Sequence, residues 1–522
     1  MIASDRRVGA WLPILGLLAL QTAFFAFYKG EVVDDAYITF RYVNNLLSMH
    51  ELAWNAGERV EGLTNLLWAL ILAGSAFSFP SIELPDLALY LGAATYALNG
   101  VVIFLMGRTL GHGVLFSVLG ALAFQLNSNI LGLSTNGLET SLFALLAGAF
   151  FYFVLKRQYG MASVAVGLLF ATRPEGAVFG VLGWLCVCLF EGSLSKNLKP
   201  WWPALAIAGC VEAFRLLYFG ALVPNSIAAK SIGLSLLPEA FRAGLLYLIE
   251  FGSSPFVLVV MLFPVLLALR QFRNFRTGVP IDGRALFPLA VLLMSFGIVL
   301  RNGGDWMPDY RLVLQYYPVL AAAMFMVLPA AGRYKIVAPA LAAYSAVMIA
   351  SKLELPARKA GVLSTKTGAY SSFYGYATRQ LKKVVRRNDL VSAEAAGYLP
   401  FVLSSTRAHD PLGLIDKWLA KNGHTTLTYG KEDADYTLFK VSPDFVVYHW
   451  AGHLRHADAH KVDAAYVTFC FDHCAQDQLA NASIIMIKKK RADAEVLAAF
   501  SSLPSWSLSR PQGERPRAMQ RN

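Results

Sequence analysis

The sequence predicts a polytopic α-helical membrane protein of about eleven transmembrane helices, followed by a C-terminal extracytoplasmic α/β domain. Three observations lead there. Hydrophobic residues make up 56% of the 522 positions and charged residues only 15%, too apolar a balance for a soluble multidomain chain. Apolar runs of bilayer-crossing character recur as far as residue 350 and then stop. Beyond that point strand-like runs alternate with helix-like ones.

The first run, "RRVGAWLPILGLLALQTAFFAFY", has a basic start and no small-residue cleavage site after it. It reads as a retained signal-anchor with its N-terminus in the cytoplasm, which places the next loop outside. Further runs fall near 87–106, 114–131, 140–155, 161–172, 177–190, 201–219, 256–270, 285–301, 312–330 and 336–350. The segment "TNLLWALILAGSAFSFP" is apolar but short and ends at Pro80. If it crossed the membrane, every later loop would change sides. The basic residues Arg108, Lys156, Arg157, Lys196, Lys199, Arg270, Arg273, Arg276, Arg284, Arg333 and Lys335 all fall in cytoplasmic loops only if it lies flat in the interface.

The expected organisation is therefore a membrane domain over 1–350 with a first outer loop at 29–86, an extracytoplasmic α/β domain over 351–505, and a disordered basic tail over 506–522. Lys plus Arg (46) less Asp plus Glu (34) gives +12, a charge assigned to cytoplasmic loops at the lipid surface; no nucleic-acid partner is expected. Cys186, Cys188 and Cys210 lie in apolar runs and read as packing residues. Cys470 and Cys474 can form a disulfide only if the chain turns at Asp472–His473, because along one strand they would stand about 13 Å apart.

The polar chemistry collects in the outward connections. Asp34 and Asp35 follow the first span in an apolar setting (Val32, Val33, Ala36, Tyr37, Ile38, Phe40) that raises a carboxylate's pKa and suits it to proton abstraction. Arg41 shares that loop. Glu139 in "NGLET" and Arg173 with Glu175 in "TRPEG" stand at the outer ends of short spans, where Pro174 breaks the helix. The plain alternatives for these three are helix-end charges that snorkel to the interface and a buried structural ion pair. "PNSIAAK" supplies Asn225 and Lys230; "RNGGDWMPDYR" supplies Asp305, Trp306 and Arg311. Trp306 offers a face for a sugar ring, and Lys230 or Arg311 a cation for a phosphate. The series His449, His453, His456, His460 falls on one helix face if that segment is helical, and reads as a solvated polar face, no acidic or thiol partner being evident.

In that order, "DDAYITFRYVNNL…LAWNAGERVEGLTNLLW", "NGLET", "TRPEG", "VPNSIAAK" and "GGDWMPDYR" resemble the GT-C superfamily of membrane glycosyltransferases, and within it the arabinofuranosyltransferases that add terminal β-1,2-linked arabinofuranose to cell-wall arabinan. In the tail, "SAEAAGYLPFVLSSTRAHDPLGL" is similar to a "GxLPY…D..GL" segment of that group. The resemblance implies a GT-C fold, a polyprenyl-phosphate sugar donor used outside the cytoplasmic membrane of a bacterium, inversion at the anomeric carbon, and an aspartate of the first outer loop as general base. Asp34, first out of the membrane, is the expected base, with Asp35 organising the loop. Tyr37, Arg41, Glu139, Arg173, Glu175, Asn225, Lys230, Asp305, Trp306 and Arg311 are the expected donor- or substrate-binding residues, and the tail is expected to help recognise the acceptor. No residue set specifies a metal; a divalent cation stays an open alternative, as do mannose, glucose or aminoarabinose as the sugar and a glycan, lipopolysaccharide or protein as acceptor. The readings from other classes are a lipid-linked sugar transporter and a non-catalytic envelope scaffold.

Overall fold

The computed structural model describes residues 12–23, 32–191, 199–253, 255–279, 281–307, 309–328, 373–427, 430–472, 474 and 482–507. Its chain divides into two compact units. One comprises Met1–Val32, Thr64–Leu217 and Leu234–Ser364; the other comprises Val33–Leu63, Tyr218–Gly233 and Thr365–Asn522. The expected boundary near 350, the run at 336–350 and the tail from 508 onward lie outside the described residues. The first outer loop is divided at Leu63, its Asp34-bearing part belonging with the C-terminal unit.

The membrane unit is helical. Among the described residues three helices are long and apolar enough to cross a membrane by themselves: Leu84–Thr109, Lys199–Phe219 and Gly283–Asn302. The run expected at 114–131 is a pair, Val114–Gln125 and Asn129–Thr135, bent by 71°. Buried Asn127 sits at the break and accepts the N–H of Asn129 at 2.8 Å, capping the second helix. The other apolar helices, among them Thr140–Leu155, Tyr159–Thr172 and Tyr317–Val327, have 10–17 residues, so length and composition alone do not reach the expected span count. Leu66–Ser78, the segment expected in the interface, is one of these. Inside, Phe179 stacks on Tyr316 (5.7 Å between centroids) and meets Phe287 edge-on (5.2 Å). Outside, Leu205 and Leu217 are 72% and 84% exposed, an apolar surface suited to lipid.

The C-terminal unit is built on a six-stranded mixed sheet. In chain order its strands are β1 (Leu390–Ala393), β2 (Arg407–His409), β5 (Phe445–Tyr448), β6 (Tyr466–Asp472), β7 (Ser483–Lys488) and β8 (Ser505–Trp506); β3 (His424–Thr425) and β4 (Lys431–Glu432) form a separate ribbon. The order is β2-β1-β5-β7-β6-β8, with β1 parallel to both β2 and β5 and the remaining pairs antiparallel. The runs "FVVYHW", "AAYVTFCF" and "ASIIMI" thus supply strands, as their composition predicts. Their alternation fixes two cores. Phe445, Val447, Ile485 and Ile487 face one side with Phe373 and Leu381, whereas Val446, Tyr448, Ile484 and Met486 face the other with Leu438 and Val462. A sheet buried on both faces needs a layer on each. A disulfide joins Cys470 at the end of β6 to Cys474, with Cα atoms 5.8 Å apart.

Candidate active site

Helix Asp34–Met49 begins at Asp34. Its carboxylate is buried and accepts two main-chain N–H bonds from the loop after β1: Gly397 to Oδ2 at 3.0 Å and Tyr398 to Oδ1 at 2.8 Å. The approach is so close that a Cβ on Gly397 would strike the main-chain oxygen of Asp34. Burial pushes the Asp34 carboxyl up to about 7, the nearby Asp35 and Glu394 adding to the push and the two N–H donors opposing it. A carboxylate has about four acceptor positions, so two N–H bonds leave room for a hydroxyl proton. Asp35, the next residue, is half-buried and points about 100° away around the helix.

Three of the expected binding residues in this unit have packing tasks. Tyr37 is 3% exposed and sits edge-on against Phe40 (5.2 Å) and Tyr398 (5.3 Å), with Phe401 at 5.4 Å. Arg41, also buried, lies 4.9 Å over the Trp54 ring, with Nε donating to the Trp54 carbonyl at 2.6 Å, Nη1 to the Pro400 carbonyl, and Nη2 to the Thr406 carbonyl at 2.9 Å and to Asn55 at 3.2 Å. A guanidinium committed to three carbonyls fastens the first loop to the tail domain and has little left for a ligand. Asn55 continues the seam by exchanging bonds with the N–H and C=O of Ala408 on β2. Asn225 directs its amide to the carbonyls of Gly413 and Leu414 (2.9 and 3.1 Å) and its N–H to Glu61. In the same segment Asp410 accepts the N–H of Leu412 and of Ile415, so "DPLGL" is a carboxylate-organised turn. Lys230 caps helix Asn225–Ala229 and is exposed.

In the membrane unit, "NGLET" and "TRPEG" meet. Arg173 bridges Glu139 at 3.0 Å and Glu175 at 3.1 Å, and Asn65 donates to the second oxygen of Glu139 at 2.8 Å. The three charges form one ion network among the described residues. Arg311 forms a two-pronged pair with Asp305 (2.9 and 3.2 Å), both largely buried. Its charge is matched inside the motif. Just before it, Asp309 and Tyr310 both hold positive φ (71° and 51°), a costly backbone that fixes where Arg311 starts its helix. Trp306 is half-buried beside this pair in sequence.

Composition did not mark a further cluster in the C-terminal unit. β5 stops at Tyr448 and Ala451–Leu454 form a 3₁₀ turn, so the four histidines do not share a helix face. His449 is exposed, whereas His453 is buried between two carboxylates, Glu394 (3.0 Å from Nε2) and Glu432 (at Nδ1). Burial pulls the imidazolium down, but the two carboxylates overcome it and raise His453 to about 9. The only signal available in advance was Glu394, a charge in the otherwise apolar "SAEAAGYLP". Among the described residues no group of three His, Cys, Asp or Glu side chains is placed to hold a metal ion.

In fold, the chain is similar to the apo form of the oligosaccharyltransferase of Archaeoglobus fulgidus, with a TM-score of 0.53 over 88% of this chain and 73% of that one at 10% identity. In sequence, it is similar to two terminal β-(1→2)-arabinofuranosyltransferases. The one from Mycobacterium tuberculosis is 24% identical over 352 residues (60% of this chain, 55% of the relative), and the one from Corynebacterium glutamicum is 27% identical over 348 residues (58% and 50%). The chain spans about half the length of these curated relatives. No protein-family model matches it.

Proposed function

We propose that this chain is an inverting GT-C glycosyltransferase that moves a sugar, arabinofuranose in the first instance, from a polyprenyl-phosphate donor to an extracytoplasmic glycan. The observation that carries the reading is Asp34, a buried carboxyl raised to about 7 and oriented through both oxygens by main-chain donors. A base is most useful when its pKa lies near the working pH and its geometry is fixed beforehand. In the step envisaged, Asp34 takes the proton of an acceptor hydroxyl as that oxygen bonds to the anomeric carbon from the face opposite the phosphate. The bond from carbon to phosphate oxygen breaks, and polyprenyl phosphate leaves with the electron pair. Asp35 shapes the helix start. Lys230, exposed at the end of its short helix, is the cation assigned to the leaving phosphate, and Arg311, paired with Asp305, is the alternative.

The sequence relatives support the sugar, and the Cys470–Cys474 disulfide supports an extracytoplasmic tail, since such bonds persist in oxidising compartments. With the basic loops inside, this favours a multi-pass protein of a bacterial cytoplasmic membrane with its active site facing outward. The test is transfer from a panel of radiolabelled polyprenyl-phosphate sugars (arabinofuranose, mannose, glucose, aminoarabinose) by purified protein in lipid. Turnover of arabinofuranose alone supports the reading; turnover of another sugar corrects the donor. Failure with the entire panel overturns transferase function.

A further inference from the structure

In the six-stranded sheet β1 lies between β2 and β5, so the chain leaves it toward one edge for β2 and is found on its other side as β5. Such a reversal opens a crevice at the carboxyl ends of the two central parallel strands, where open α/β sheets bind ligands. Here Ala393 pairs with Val447, which puts the loops Glu394–Tyr398 and His449–His453 side by side. Glu394 locks them together: its carboxylate accepts the Trp450 N–H at 3.3 Å, meets His453 at 3.0 Å and accepts the Tyr374 hydroxyl at 3.0 Å. His453 is held from its other nitrogen by Glu432, which also pairs with Arg455.

Two further features turn this junction into a surface for a ligand. The indole of Trp450 packs against Gly452, where a Cβ would come within 2.6 Å of the ring, and the His453 ring stands nearly perpendicular to it with centroids 4.7 Å apart. The ring is thereby braced on two sides while remaining half-buried, with His449 exposed next to it. The loop that carries Glu394 is also the loop whose Gly397 and Tyr398 hold Asp34, and Glu394 is within electrostatic range of that carboxyl.

We infer that this switch-point crevice is a subsite for a neutral sugar ring of the acceptor glycan, with Trp450 as the stacking platform and Glu394 and His449 as hydrogen-bonding partners. A sugar presents an apolar C–H face and a rim of hydroxyls. A braced indole beside a carboxylate is complementary to both, and few fixed polar groups around an aromatic wall are what small-molecule sites use to set orientation. His453, the Tyr374 hydroxyl and the Trp450 N–H hold the Glu394 carboxylate in place, so it meets a hydroxyl without first having to be ordered.

The inference rests on the glycosyltransferase reading for the glycan's identity but not for its test. Full-length protein in nanodiscs is titrated with a synthetic arabinofuranosyl oligosaccharide in the absence of donor, reading tryptophan fluorescence and calorimetry. Trp450→Ala is expected to weaken binding at least about tenfold, the factor that corresponds to about 1.4 kcal/mol, whereas Trp450→Phe, which keeps an aromatic face, retains most of the affinity. Glu394→Gln should weaken it comparably while the melting temperature reports whether the loop stays folded. Affinity unchanged in both Trp450→Ala and a folded Glu394→Gln overturns the subsite, as does a parent that binds no oligosaccharide although it turns over donor. A parent that turns over no donor yet loses oligosaccharide binding through Trp450→Ala upholds the subsite and overturns the transferase reading alone.

Discussion

The carboxylate of Asp34 accepts the main-chain N–H of Tyr398 at 2.8 Å across 364 residues of sequence. The residue proposed as base is therefore fixed by a loop of the C-terminal domain.

Asp34→Asn should fold and lose about 100- to 10,000-fold in kcat, the usual cost of removing a general base, while Asp35→Asn keeps measurable turnover. Steady-state assays with labelled donor check this. Robust turnover by Asp34→Asn would sink the assignment, and a dead Asp35→Asn beside it would move the role one residue along.

The pH dependence has a definite sign. Asp34 is raised to about 7, so kcat/KM should climb as the pH passes through about 7 and level off above it. Stability runs the other way. An unfolded aspartate releases its proton near 4 (about 3.9), whereas the folded one keeps it to about 7; the contribution of this group is present below about 4 and is lost as the pH rises to 7. Melting curves from pH 4 to 8 should show that slope in the parent and a shallower one in Asp34→Asn.

Gly397→Ala puts a methyl group into the main chain of Asp34. Backbone cannot yield as a flexible side chain can, so the cost should be about 1–3 kcal/mol, together with loss of the two-donor grip on the carboxylate. Thermal unfolding and activity should fall together; a parent-like Gly397→Ala would remove the case that this loop orients the base. Truncation after Ala350 deletes the same donors and should abolish donor hydrolysis as well as transfer, a different outcome from a tail that only recognises acceptor.

Arg173 and Lys230 should separate cleanly. Arg173→Met leaves Glu139 and Glu175 without their shared cation in a buried place and should cost on the order of 3–5 kcal/mol, seen as loss of folded protein by size-exclusion chromatography. Lys230→Met alters an exposed side chain, so folding should change by less than about 0.5 kcal/mol. Its donor kcat/KM should nonetheless drop about tenfold or more if the lysine meets the phosphate. Unchanged kinetics would transfer that task to Arg311.

Thiol titration of protein purified without reductant should find three reactive cysteines after denaturation (Cys186, Cys188, Cys210) and five after reduction. Five before reduction would indicate a tail kept in a reducing compartment and would contradict the proposed orientation.

The sequence by itself determined what depends on neighbours along the chain. Strands β5, β6 and β7 announce themselves by apolar and β-branched runs, and the membrane helices by apolar composition. Helix Asp34–Met49 falls in the stretch read as the first outer loop, where no helix was expected. Asp34 was visible as an ionisable group in an apolar setting and Glu139 and Arg173 as charges at the outer ends of short spans, because an unpartnered charge there is costly and its presence implies a partner or a task. Which partner was not visible. That Arg41 and Asn225 fasten loops, that Arg311 is matched by Asp305, and that His453 lies between Glu394 and Glu432 were decided only by the tertiary structure. The reason is physical: a donor's energy depends on which acceptor it finds after burial, and for Arg41 the Pro400 and Thr406 carbonyls lie 359 and 365 residues away. No periodicity in the chain encodes such a pairing, whereas the folded C-terminal unit makes it by bringing Asp34 against the loop after β1.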